Sequence, residues 1–342
     1  MKMEENNVVT PNEVPVKEKK PNFFKKLWEK IKEKILSHSE EVMTWDRWKR
    51  KNLNLNGLGR FCWYIVRLVL IIGISFMILY PFLVKGIVSF MSTNDITDNT
   101  VMYLPREGST YFIQKALTTM DYWSALLNTA LLSLGVAILQ LFVSTFVGYG
   151  FARFKFWGKN VLFLLVILML IVPSQTIILP LYVNLNNFLG TGLSFIDTPF
   201  ALLFLAITGL GLKNGLYIYM MRQFFRGMPK ELEMSAYIDG AGHFRTFFSV
   251  MLPNASNMMI TIFLFAFTWQ WTDTTYNTML MPNLNILTNT IMNVTVSSGD
   301  DVTQTQALLD TSSLLLILPL LIVFLFAQRY FIQSIERSGL VE

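Results

Sequence analysis

The chain has 342 residues, of which 53% are hydrophobic and 15% are Asp, Glu, Lys or Arg. Soluble domains carry about 25% charged residues, so this composition favours a membrane protein. The single Cys62 excludes a disulfide-stabilised secreted scaffold, and with only two histidines a His- or Cys-rich metal site is not expected. A net charge of +5 would suit a nucleic-acid partner, but the distribution of that charge favours a membrane surface instead.

The first sixty residues are predicted to form two cytoplasmic segments. Residues 1–21, rich in Asn, Glu and Lys, are expected to be a disordered tail. Residues 22–60 are expected to form a basic amphipathic helix and a linker, because apolar side chains recur at helical spacing among lysines. Such a helix would lie on the inner leaflet, with docking on a protein partner as the alternative. A nucleic-acid arm is disfavoured because Trp28, Phe23 and Phe24 suit a bilayer interface better.

Six apolar stretches long enough to span a membrane follow within residues 61–342. They lie at about residues 62–84, 126–150, 161–183, 198–221, 254–272 and 308–328. The N-terminal segment and the segments after the second, fourth and sixth stretches carry 23 Lys and Arg, against 3 in the other segments. Basic residues stay on the cytoplasmic side, so both termini are expected in the cytoplasm. The sequence therefore predicts an all-α polytopic membrane protein with six transmembrane helices.

The longest cytoplasmic connection, residues 222–253, has the pattern of a short docked helix. Pro229 can stand at or just before a helix start, where its missing N–H is harmless. Glu231 and Glu233 would fall in the first turn, where carboxylates suit the positive end of the helix dipole. Gly240 supplies a break. The loop is therefore predicted to hold a helix that ends near this glycine.

This loop resembles the EAA loop of permease subunits of binding-protein-dependent ABC importers. The residues that match its pattern and spacing are Ser235, Ala236, Asp239, Gly240, Ala241, Leu252 and Pro253. The family's first Glu falls on Met234, and Glu233 stands one place earlier. The resemblance implies a coupling helix that inserts into a cleft on an ATPase subunit and transmits its closure to the spans. It assigns ATPase docking to Glu231, Glu233, Met234, Ser235, Ala236, Asp239, Gly240, Ala241 and Phe244.

Other stretches resemble the sugar-importer permeases similar to the second membrane subunit of the maltose importer. They are Asn128-Thr129, GYGFARFKFWGKN at 148–160, IVPSQTIILPLY at 171–182, Phe188-Leu189-Gly190 and Gln328-Arg329-Tyr330-Phe331. The resemblance covers about residues 60–342 and implies the type I ABC importer permease fold in the bacterial cytoplasmic membrane. It also implies three partners: a second homologous permease subunit, an ATPase dimer and an extracytoplasmic solute-binding protein.

No phosphate-binding Gly-Lys-Ser/Thr loop occurs in the sequence. ATP hydrolysis is therefore expected on another polypeptide. We expect no catalytic residue, metal or cofactor on this chain, which is predicted not to be an enzyme, and we expect ATP and magnesium on the partner ATPase. The permease itself needs a docking element and a two-state bundle whose equilibrium docking can bias.

A sugar path needs aromatic faces for stacking and polar groups for hydrogen bonds. Trp271, Asp273 and Tyr276 give that mixture at the outer end of the fifth span, with an aromatic belt as the competing explanation for the tryptophan. Lys213 is a fourth candidate. It lies nine residues before Arg222, which places it about 13 Å from the inner interface.

At that depth an ammonium group should face a water-filled cavity or a partner subunit. Gly209, Gly211 and Gly215 would loosen the helix around Lys213, so an early break with a snorkelling lysine is an alternative.

Two further features concern the shape of the bundle. Pro173 and Pro180 predict a kink in the third span. The outer segment, residues 85–125, is longer than a simple connection needs. We expect it to touch the solute-binding protein; packing on its own mouth is the alternative.

Together these patterns predict the permease subunit of an ATP-driven ABC importer for a sugar or oligosaccharide, forming half of the translocation path. Two alternatives belong to other classes. A secondary solute transporter would need coupling-ion carboxylates within spans, for which Asp273 is nearly the only candidate. A membrane-anchored scaffold would not explain so specific a loop between the fourth and fifth spans.

Overall fold

The computed structural model describes Glu29 and residues 55–98, 100–297 and 302–339. The tail predicted for residues 1–21 and the interfacial helix predicted after it lie outside these residues. Two compact units are distinguished, one up to Ile78 and one from Leu79 onward. Throughout the described ranges the secondary structure is helical, without strands. The all-α prediction is confirmed for this part of the chain.

The helices are numbered in chain order. They are α1 (Leu55–Ser89), α2 (Thr93–Thr97), α3 (Tyr111–Thr119), α4 (Tyr122–Arg153), α5 (Lys159–Ile171), α6 (Ser174–Asn186), α7 (Phe200–Ile207), α8 (Asn214–Gly227), α9 (Glu231–Ile238), α10 (His243–Asn254), α11 (Ser256–Thr272), α12 (Thr275–Leu280), α13 (Leu287–Ser297) and α14 (Val302–Gly339). Helix α10 contains a π-helical stretch, Phe247–Met251.

Among the described residues, α1, α4 and α14 are each long and apolar enough to cross a membrane. Two bent pairs, α5 with α6 and α10 with α11, raise the number of candidate spans to five if each pair crosses once. The bends are 107° and 74°. Three of the six predicted spans therefore have a counterpart by length and composition, and two more do if each bent pair is one span.

The kink predicted in the third span lies at Pro173. Helix α5 ends at Ile171 and α6 begins at Ser174, so the break falls on Val172 and Pro173. Proline has no N–H to donate, and its ring clashes with the preceding turn. Pro180 lies inside α6 without interrupting it.

The fourth predicted span, residues 198–221, is not one helix, which corrects that expectation. It is divided into α7 and α8, and the break contains Gly209 and Lys213 in left-handed conformation, with φ of 79° and 60°. The Gln140 side chain of α4 donates to the carbonyl of Leu212 at 2.9 Å. A neighbouring helix thus satisfies a backbone group that the break sets free.

Helix α4 is central to the bundle and packs mainly against α8 and α11. At Gly148 its backbone lies so close to α8 that an added Cβ would stand 2.6 Å from the Cβ of Met221. The buried face of α4 also carries polar groups that bond to later parts of the chain. Thr129, for example, accepts the N–H of Leu287 at 2.9 Å.

The outer segment packs on the bundle. Helix α3 buries Phe112 and Ala116, Met120 is buried directly after it, and the helix contacts α14. Asp95 is buried and accepts the backbone N–H groups of Arg106 and Glu107 at 3.1 and 3.2 Å. The structure therefore shows this segment packed on the chain's own helices, and contact with a binding protein stays a prediction.

Candidate functional site

The loop of residues 222–253 folds as the sequence predicts. Helix α9 begins at Glu231, two residues after Pro229, and ends before Asp239. Gly240 adopts a φ of 80°, a conformation that favours glycine. The N–H of Gly240 donates to the carbonyl of Tyr237 and that of Ala241 donates to the carbonyl of Ala236, at 3.0 and 2.9 Å. These bonds cap the helix where the break was predicted.

One side of α9 faces the bundle through Glu233. This carboxylate is buried, and its Oε1 accepts the hydroxyl of Tyr149 at 3.0 Å. The Nε of Arg153 lies 3.4 Å from the same oxygen, and the Nη2 of Arg153 donates to the carbonyl of Met228 at 2.8 Å. The buried ion pair therefore attaches the loop helix to the C-terminal end of α4.

Aromatic side chains surround this attachment. The ring of Tyr149 lies 5.3 Å from that of Phe225 and 4.7 Å from that of Phe247. The Tyr237 hydroxyl lies 2.9 Å from Nδ1 of His243, which joins α9 to α10, and partial burial raises the pKa of Tyr237. These aromatic contacts therefore join four helices, α4, α8, α9 and α10, in one packed cluster.

The other side of α9 exposes the apolar side chains of Met234 and Ile238, and Phe244 near the start of α10 adds a third. Met234, Ile238 and Phe244 are 59%, 86% and 78% exposed. Ile238 follows Met234 by four residues and so lies on the same helical face. That spacing was available in the sequence, although the EAA resemblance did not point to Ile238.

The predicted docking residues thus divide between two faces. The exposed ones are Glu231, Met234, Ser235, Asp239, Gly240 and Phe244. Glu233 and Ala236 are buried, and Ala241 is half-buried. Only the first group presents a surface to which another protein could bind directly, while Glu233 acts inside the chain.

Two of the predicted path residues have structural contacts. Trp271 is buried, and its indole N–H donates to the carbonyl of Leu316 at 3.0 Å, joining α11 to α14. Asp273 accepts the backbone N–H groups of Tyr276 and Asn277 at 2.9 and 3.2 Å, at the start of α12. These bonds satisfy the first turn of a short helix.

The other two path residues line one cavity. Lys213 and Tyr276 border a cavity of about 740 Å³ that lies beside the breaks between α5 and α6 and between α7 and α8. The Nζ of Lys213 lies over the ring of Trp269, 4.8 Å from its centroid. The structure therefore places Lys213 and Tyr276 on one cavity. Asp273 contacts Tyr276 through a backbone N–H but does not line the cavity, and Trp271 lies in the core.

One acidic residue within a predicted span was not identified as a candidate from the sequence. Asp310 lies in α14 and forms an ion pair with Lys85 near the end of α1. This pairing accounts for the carboxylate without assigning it to ion transport. In the part of the chain that is described, no group of three His, Cys, Asp or Glu side chains could hold a metal ion.

Similar proteins are transport permeases. An arabinooligosaccharides transport system permease protein of Halalkalibacterium halodurans is 27% identical over 280 residues, covering 78% of this chain and 92% of the relative. A maltodextrin transport system permease protein of Bacillus subtilis is 27% identical over 295 residues, covering 82% and 96%. An sn-glycerol-3-phosphate transport system permease protein of Pectobacterium atrosepticum is 27% identical over 224 residues, covering 64% and 75%.

The fold also has a solved counterpart. A chain from the crystal structure of a bacterial ABC transporter involved in the import of the acidic polysaccharide alginate superposes with a TM-score of 0.67 at 20% identity, covering 80% of this chain and 98% of that one. The fold is therefore that of an ABC importer permease. Residues 140–337, from the middle of α4 into α14, match the family of binding-protein-dependent transport system inner membrane components. With more than half of its length in that match, the chain belongs to this family of transport permeases and is not an enzyme.

Proposed function

We propose that this chain is the permease subunit of an ATP-driven importer whose cargo is a sugar or oligosaccharide, and that it forms half of the translocation path with a second homologous permease. Relatives named for arabinooligosaccharide and maltodextrin transport support a carbohydrate cargo. The observation that carries the coupling part of the proposal is the geometry of α9. This helix is attached to α4 on one side and exposes an apolar face on the other.

The proposed topology has six crossings in the cytoplasmic membrane, with both termini in the cytoplasm. The fourth crossing consists of α7 and α8 with the break between them, in addition to the five candidates that length and composition identify. The bias of 23 to 3 in Lys and Arg supports this orientation. In this arrangement α9 and Gly240 lie on the cytoplasmic side.

The exposed face of α9, with Phe244 of α10 beside it, is proposed to bind the ATPase subunit on which ATP and magnesium are expected. Met234, Ile238 and Phe244 would bury their apolar surface in a cleft of that subunit. Methionine at position 234 makes this contact more apolar than a glutamate would. Because Glu233 is held by Arg153, movement of the ATPase against α9 would act directly on α4.

The outer segment is proposed to meet the solute-binding protein. Its exposed tip carries Met102, Tyr103 and Leu104, which are large and apolar. The packed base of the segment, formed by α3 and the bonds to Asp95, would hold that tip in place.

The alternative functions find less support. Asp310, the carboxylate inside a span that a secondary transporter would need, is paired with Lys85. A membrane-anchored scaffold would not require an attached helix with an exposed apolar face. It would also not explain the transport permease fold.

Co-purification of the ATPase tests the docking proposal. Ile238→Asp should reduce the ATPase recovered with the membrane complex at least about tenfold, since a carboxylate would be buried in an apolar contact without a partner. The side chain is 86% exposed, so the permease itself should fold normally. Leu104→Asp, at an 84% exposed position in the outer segment, is the matched control and should leave recovery unchanged. Equal recovery from both variants would show that α9 is not the docking element.

A further inference from the structure

We infer that the cavity beside the two helix breaks binds an anionic group of the cargo, so that the importer takes an acidic sugar, one that carries a carboxylate or a phosphate. This inference rests on the proposed function, because it assumes that the cargo passes this cavity. The volume of about 740 Å³ lies in the range of small-molecule sites, which is about 300–1,000 Å³.

Two helix N-termini border the cavity. Helix α6 begins at Ser174 and α8 begins at Asn214, and both residues line the space. Neither helix has a side-chain hydrogen bond capping its N-terminus, since Pro173 and Lys213 stand at the cap positions. The positive ends of two helix dipoles are therefore directed at the same space. The positive end of a helix dipole favours a negatively charged ligand.

Lys213 adds a formal positive charge to the same wall. Its backbone is left-handed, with a φ of 60°, and its Nζ lies over the ring of Trp269. The described residues that line the cavity include neither Asp nor Glu. An ammonium group at this depth in a membrane is costly without compensation, and a bound anion would compensate it.

Asn214 is the second, independent sign of a ligand. Its side chain is fully buried at the cavity wall, yet neither its Nδ2 nor its Oδ1 has a hydrogen-bond partner in the described chain. Buried amides are normally paired. One amide supplies both a donor and an acceptor, which is what a sugar hydroxyl needs. Gln175, on the same wall, supplies a second amide.

The positively charged groups and the side-chain amides of the cavity thus bind different parts of the cargo. Lys213 and the helix N-termini attract the anionic substituent, while Asn214 and Gln175 bond to hydroxyls. A neutral sugar would satisfy the amides but leave the positive field uncompensated. The geometry therefore selects an acidic sugar over a neutral sugar of the same size.

Equilibrium binding to the assembled importer tests this selection. The complex of both permeases and the ATPase is reconstituted in phosphatidylcholine alone, so that lipid supplies no net anionic charge, and is titrated with trigalacturonate and with galactotriose. The native complex should bind trigalacturonate at least about tenfold more tightly, which corresponds to about 1.4 kcal/mol. Lys213→Met should abolish the preference, and Lys213→Arg should keep it. Lys155→Met, at an exposed position outside the cavity, should behave as the native chain.

Three results would overturn the inference: no binding of trigalacturonate, equal binding of the two sugars by the native complex, or an unchanged preference in Lys213→Met. Dissociation of the two permeases in Lys213→Met would also overturn it, because the lysine would then pair with a carboxylate of the partner subunit. ATPase recovery is measured on the same preparations. If it is normal while the acidic preference is absent, the cargo inference fails and the docking proposal stands.

Discussion

Replacing Glu233 by alanine is expected to lower the free energy of unfolding by about 3–5 kcal/mol, because the guanidinium of Arg153 would be left buried without its partner. We also expect this variant to lose coupled uptake. Both side chains are largely inaccessible, at 7% and 11% exposure, so solvent would screen the lost pair only weakly. The Tyr149 hydroxyl would lose its acceptor in this variant, which would lower the stability further. Helix α9 should then detach from α4, and the loop should become sensitive to protease.

The matched control is Glu231→Ala. This glutamate is two residues away in the same helix and is exposed, so its loss should have little effect on stability. The double variant Arg153→Met with Glu233→Met should recover most of the stability, because replacing both members of a buried ion pair by apolar side chains is often neutral. Thermal unfolding in detergent and sugar uptake in vesicles are the measurements. Equal unfolding temperatures for Glu233→Ala and Glu231→Ala would contradict the assigned role of the pair.

Gly148→Val is expected to separate α4 from α8 and to destabilise the bundle by at least about 1–3 kcal/mol, the usual cost of overpacking. A Cβ at this position would meet the Cβ of Met221 at 2.6 Å and the backbone N of Arg222 at 3.0 Å, and a backbone atom cannot move aside cheaply. The yield of monodisperse protein and its unfolding temperature in detergent should both fall.

Gly150→Val provides the comparison for this prediction. It lies in the same helix two residues further on, and nothing stands within 4 Å of a Cβ placed there. It should therefore fold like the native chain. If both glycine variants lose stability equally, helix propensity and not the close approach of α4 to α8 is the cause.

The sequence was most informative where one pattern fixed one local structure. A proline in an apolar stretch predicted a kink, and the chain bends by 107° at Pro173. A glycine after two first-turn glutamates predicted a helix end, and Gly240 caps α9 with a φ of 80°. These outcomes follow from the backbone limits of two residue types. They do not depend on distant parts of the chain.

Prediction was weaker where distant residues decide the outcome. The fourth stretch is mostly apolar, and a break at its glycines was only the alternative to one continuous span. The chain does break between α7 and α8, where Gln140, some seventy residues earlier, bonds to Leu212. Glu233 was expected at a docking surface, but Arg153 and Tyr149 draw it inward. Trp271 was expected at a path or a lipid belt, and a carbonyl of α14 holds it in the core. No local pattern contains these partners.

The polar face of α4 has a consequence for synthesis and membrane insertion. Gln140 bonds to Leu212, and Thr129 bonds to Leu287, which follows 158 residues later. At about 5–20 residues per second, roughly 4–14 seconds pass before the first partner is made and roughly 8–32 seconds before the second. During that time these side chains cannot have their native bonds. We therefore expect α4 to remain beside the insertion machinery, with its polar face shielded from lipid, until α8 and α13 have emerged from the ribosome.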